Sequence, residues 1–209
     1  MTDLQHQPPP KPGHQEPVGK ARLEAFSDGV IAIIVTIMVL ELKVPHGHEL
    51  ADLRPVLPVL LSYVLSFAFV GIYWVNHHHL LHALNRVTPS VMWANLHLLY
   101  WLSLVPAVTG WMGEHSRAPW PTALYASVLV MSGVAYTLLQ KAVWGQHGKD
   151  TPLLAALAND QRKGKISTAC YLASIGFAFV EPRISHALFV GVALIWLVPD
   201  RRILAGPNG

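Results

Sequence analysis

Residues 22 to 42 read RLEAFSDGVIAIIVTIMVLEL, with an arginine, two acids and a serine at the mouth of an apolar run. A carboxylate such as Asp28 costs about 2.5–3.5 kcal/mol at the centre of a membrane-spanning helix and less near an interface, so it must be paired or hydrated. Arg22 stands six residues away, about 120° around a helix and more than a turn along it, so it does not face Asp28. The partner of Asp28 is expected on another helix. A second chemistry open to such an acid is proton carriage.

Imidazoles form the other reactive group. In YWVNHHHLLHALNRV, residues 73 to 87, His78 and His82 stand at i and i+4, a spacing that can hold a metal on one helical face. The adjacent run His77-His78-His79 is not helically spaced and no Cys or carboxylate motif accompanies it, so structural or interfacial histidine is favoured and no metal is expected. The one cysteine, Cys170, lies in STACYLASIG. It can build neither a disulfide nor a thiolate site within one chain and reads as a packing residue. There is no nucleophile elbow, phosphate loop or zinc signature; neither enzymatic activity nor a cofactor is expected.

The elements that carry these groups follow from composition. Of 209 residues, 52% are hydrophobic and only 13% charged, and the mean hydropathy is +0.37. This is the composition of an all-α, polytopic membrane protein. Apolar runs of about 20 residues, the length that crosses a bilayer, occur near 20–43, 56–84, 90–112, 120–144, 165–181 and 183–199. Glu181-Pro182-Arg183 leaves room only for a tight hairpin whose proline opens the last helix. Residues 1–19 are proline-rich and polar without an apolar core, and are expected as a disordered cytoplasmic tail. Residues 20–202 form the membrane domain, and 203–209 a short second tail. The interval 145–165 is polar with an amphipathic middle expected along the membrane surface.

The net charge of +3 and pI near 9.1 come from bases lying between apolar spans, so they read as topology determinants and not as a nucleic-acid surface. With the N-terminus inside, eleven Lys and Arg fall on the cytoplasmic side against Lys43, Arg54, Arg117 and Arg183 outside. Both termini are therefore expected in the cytoplasm of a cell-membrane protein. In that arrangement Trp74 to His78 lie about two turns inside the end of the second span, level with Asp28. The third span re-enters at Pro89 and sets Asn95 and His97 at a similar depth. The three helices are expected to share one polar layer.

On the first helix Ile33, Thr36, Ile37 and Leu40 recur at i, i+3, i+4 and i+7 and share one stripe, with Gly29 just below and Asp28 pointing elsewhere. Such a stripe also suits ordinary helix packing, and a helical Thr often bonds the carbonyl three or four residues back.

Arg22-x-x-x-Phe26-Ser27-Asp28 resembles the signature of the transmembrane protein 175 family, potassium channels of bacteria and lysosomes. YWVNHH at 73–78, WANLHLLYWLSLVP at 93–106 and WLVPDRR at 196–202 are similar to later segments of that family, in the same order. The resemblance implies a six-helix subunit, a homotetramer in membrane lipid, and a central pore lined by the first helix for permeant cations, with potassium preferred. It implies that Ile33 forms the narrowest ring, that Thr36, Ile37 and Leu40 line the wall above it, and that Arg22, Phe26, Ser27, Asp28, Trp74, His77 and Asn95 form the network fixing that helix. The runner-up is an ion-coupled transporter. No internal duplication of the kind common in transporters is visible.

Overall fold

The structure, a computed structural model, describes residues 18–45, 47–146 and 152–197, without the side chains of 18 and 152–160. All described regular elements are helical: α1 (Val18–Leu40), a 3₁₀ turn (Leu50–Leu53), α2 (Leu57–His82), α3 (Pro89–Ser103), α4 (Val105–Glu114), α5 (Pro119–Trp144), α6 (Pro152–Ala178) and α7 (Pro182–Leu197).

Proline sets most of the starts. Pro58, Pro89, Pro119, Pro152 and Pro182 fall in the first turn of their helices, where a missing N–H costs nothing and the fixed φ suits the helix. At α3 the Thr88 side chain also accepts from the Val91 N–H at 3.4 Å, capping one orphan donor. Pro106 acts differently. It sits inside the apolar run 89–114 and removes the hydrogen bond to the Leu102 carbonyl, so the expected third span divides at Leu104 into α3 and α4.

Among the described residues, four rods are long and apolar enough to cross a membrane: Gly19–Leu40, Leu57–His82, Pro89–Glu114 and Pro119–Trp144. The fifth and sixth expected spans are the hairpin of α6 and α7, closed by the Glu181 N–H on the Phe177 carbonyl at 2.8 Å. The helix expected from 165 begins earlier, at Pro152. The polar turns around Gln161–Lys165 are thus continuous with the apolar half and do not form a separate surface segment. The tails 1–17 and 198–209 lie outside the described residues, while α1 starts at Val18, two residues inside the expected tail.

Helix α5 is the centre, meeting α2, α3, α4, α6 and α7, while α1 lies against α2, α3 and α4. Lipid tails are as apolar as Leu, so association rests on close packing and interhelical hydrogen bonds more than on burial from water. Both are present. A Cβ on Gly113 would meet the Val59 Cα at 2.8 Å, so the backbones of α4 and α2 approach each other closely there. Thr109 of α4, whose hydroxyl proton goes to the Val105 carbonyl at 2.6 Å, shares a hydrogen bond of 2.8 Å with Ser66 of α2, and Ser66 shares one of 2.9 Å with the Tyr125 hydroxyl of α5. Phe69, Val70, Leu129, Leu139 and Phe189 fill the space around them. Cys170 packs half-buried against this core, as expected of a packing residue. The Gln146 amide clamps the backbone N–H and C=O of Arg86 at 3.2 and 3.0 Å, tying the end of α5 to the α2–α3 turn.

Candidate functional site

Helix α1 has two faces. Ser27, Ile31, Ile34 and Met38 are buried against the other helices. The opposite stripe, Arg22, Phe26, Gly29, Ile33, Thr36, Ile37 and Leu40, is exposed along its length, with Ile33 at 58% and Leu40 at 79%. The four residues expected to line a pore therefore share one unpartnered surface of the protomer.

The buried face is fixed by a chain of hydrogen bonds. Ser27 donates its hydroxyl proton to the Leu23 carbonyl at 2.8 Å, which leaves its oxygen to accept from Asn95 Nδ2 of α3 at 2.9 Å. With its amide nitrogen so committed, Asn95 turns Oδ1 to His77 Nε2 of α2 at 2.7 Å. His77 must therefore carry a proton on Nε2, an assignment made from the network. Ser27, Asn95 and His77 are almost wholly inaccessible, so this is a dry junction of three helices. Beside it the Trp74 indole N–H donates to Asp28 Oδ1 at 3.0 Å. About two turns lower, Lys20 donates to the His82 carbonyl at 3.1 Å, setting a cation at the negative end of α2. The antiparallel depths of α1 and α2 thus match as expected.

The rest of the expected set divides. Arg22 and Phe26 are exposed on the Ile33 stripe and make no hydrogen bond to this junction among the described residues, because on a helix 22, 26, 29 and 33 follow one side. His97 accepts from Trp101 on its own helix at 2.9 Å and stands outside the layer, because two residues from Asn95 is about 200° around α3. His78 and His82 meet edge to face with centroids 4.5 Å apart, and no group of three or more metal-ligating side chains occurs among the described residues. Lys20 was not anticipated as a helix tie. Its position two residues before the signature, opposite a helix C-terminus, is the signal that marks it.

Thr36 donates to the Ile33 carbonyl at 2.9 Å. This is the local bond common to helical threonines, and it has a directional consequence. With its proton committed to the backbone, the hydroxyl presents only lone pairs to the open side of the stripe.

The fold and this geometry define a multi-pass α-helical membrane protein whose first helix is locked on one face and left open on the other. Residues 22–106 match the family model described as "Endosomal/lysosomal potassium channel TMEM175". The chain is 50% identical over 184 residues to a potassium channel of Chryseobacterium sp., covering 88% of this chain and 95% of that protein. It is 33% identical over 116 residues, half of this chain and 23% of the other, to the human endosomal/lysosomal proton channel TMEM175. The crystal structure of a lysosomal potassium-selective channel TMEM175 homolog from Chamaesiphon minutus superposes with a TM-score of 0.72 at 26% identity, covering 87% of this chain and 97% of that one. The chain belongs to the TMEM175 family.

Proposed function

We propose that the protein is a potassium-preferring cation channel that works as a homotetramer in the cytoplasmic membrane, with both termini in the cytoplasm. It needs no cofactor and catalyses no reaction; potassium is its permeant ligand. The observation that carries the reading is the exposed stripe of Ile33, Thr36, Ile37 and Leu40 on a helix whose other face is bolted down. One helix cannot enclose a passage, but the same helix from symmetry-related copies around an axis can. The potassium-channel names of its relatives support a channel over a coupled transporter.

Four Ile33 side chains cannot replace an ion's water. They act as a hydrophobic constriction that dewets when narrow and conducts when widened or wetted. Selectivity falls to the Thr36 ring, whose lone pairs meet a partly dehydrated cation and favour potassium, the larger ion and the cheaper to dehydrate.

Purified protein in liposomes tests this. A potassium gradient alone drives flux, without a coupled supply of protons or sodium, and Ile33→Asn raises the resting conductance. Flux that requires a coupled ion would overturn the channel reading, and unchanged conductance in the variant would remove Ile33 from the constriction.

A further inference from the structure

Away from α1, a cavity of about 500 Å³ opens between α2, α5 and α6, within the size range of small-molecule and lipid-chain sites. Its apolar lining includes Phe69, Ile72 and Leu172. Leu172 is 55% exposed, so the chamber communicates with the surroundings of the helices. Its rim is basic. Lys141 and Lys165 line it together with Gln140 and Gln161, and no carboxylate does among the lining residues. Neither lysine forms an ion pair among the described residues.

Trp144 lines the same cavity, and its indole N–H is buried without a hydrogen-bond partner. A buried donor in a protein normally has an acceptor. Two ammonium groups, amide donors and an indole N–H without an acceptor, all on residues lining one largely apolar slot, therefore describe a receptor for an anionic head on a hydrocarbon tail. Basic pockets between membrane-spanning helices bind phosphate-bearing lipid heads for this reason.

We propose that this cavity binds an anionic phospholipid, its phosphate held by Lys141, Lys165 and the Trp144 N–H and one acyl chain lying between α2 and α6. The shared chemistry is the phosphate; the apolar wall commits the occupant to a lipid over a free anion. The site is separate from the exposed stripe of α1 and does not depend on the channel reading.

The full-length protein, delipidated in detergent, is titrated with phosphatidylglycerol, phosphatidylcholine of the same chains, or inorganic phosphate, with native mass spectrometry and thermal midpoint as readouts. Phosphatidylglycerol is expected to stay bound and raise the midpoint, and the other two to do neither. Lys141→Gln with Lys165→Gln weakens retention about 30-fold, the effect of two lysines at about 1 kcal/mol each near an anionic surface, while the midpoint in phosphatidylcholine is unchanged. Gly164→Phe, where an added Cβ meets nothing within 4 Å, fills the chamber and abolishes retention. Equal binding of the two lipids, unaltered retention in either variant, or the full shift with inorganic phosphate alone would each overturn the assignment.

Discussion

Asn95 is the residue through which α1 is held to α2 and α3. Replacing it by Leu keeps the volume and removes both the amide donor and the carbonyl acceptor. Two interhelical bonds go, of 2.9 and 2.7 Å. Such bonds between membrane helices average about 0.6 kcal/mol, with a maximum near 1.7. The larger effect is on what remains. Ser27 keeps its bond to the Leu23 carbonyl and loses only a donor to its oxygen. His77, 1% exposed, keeps an N–H with no acceptor, at about 1–3 kcal/mol. The expected loss is about 2–4 kcal/mol. Reversible unfolding in mixed micelles measures it, with a double-mutant cycle on His77→Leu as the decisive part. Once His77 is gone, Asn95→Leu should cost clearly less, a coupling of about 1–2 kcal/mol. Strict additivity, or a single-variant cost below about 0.5 kcal/mol, would show that the junction is not the lock described here.

Further outcomes follow from the same geometry. Thr36→Val keeps the shape and removes the lone pairs, so bi-ionic reversal potentials should lose potassium preference while conductance persists; an unchanged preference would return Thr36 to a local helical role. Gly113→Leu drives a side chain into the Val59 backbone, 2.8 Å from the first added carbon, and should destabilise the fold by about 1–3 kcal/mol or more, read as a lower unfolding midpoint. Trp74→Phe removes the indole donor from Asp28 and should cost about 0.6–1.7 kcal/mol by the same measurement, with Asp28→Asn on that background adding little.

Much of this was legible in the sequence because it depends on period and depth. The stripe from Ile33 to Leu40 follows from helical spacing, and the common depth of Asp28, Trp74, His77 and Asn95 from counting turns inward from each membrane entry, although which of them pair does not. The same period places His97 about 200° around α3 from Asn95, outside the layer, and sets Arg22 and Phe26 on the open stripe with Ile33. The break at Leu104 had its signal in Pro106. The central role of Ser27 was less readable, since a helical serine bonds its own backbone in either case, and only a neighbouring amide at the right height makes it a junction. The basic cavity was not readable at all. Its walls come from three helices distant in sequence, and its distinguishing feature, an indole N–H without an acceptor, exists only once they are packed.

The unequal hold along α1 bears on how the constriction proposed at Ile33 would move. From Lys20 to Asp28 the helix is fixed by directional bonds to α2 and α3. From Ile31 to Met38 the buried contacts are apolar, and Thr36 bonds only its own helix. Past the helix end, Lys43 pairs with Glu114, an exposed contact of the kind that restrains little. In a bilayer, exchanging an apolar protein contact for lipid tails changes the energy little, whereas opening the Asn95 junction strands buried polar groups. The easiest displacement of Ile33 is therefore a rotation or tilt of the upper half of α1 about Ser27, with the polar layer as fulcrum. The carboxylate and serine at the mouth of the apolar run thus do more than tolerate the membrane: they hold one end still so that the other can adjust.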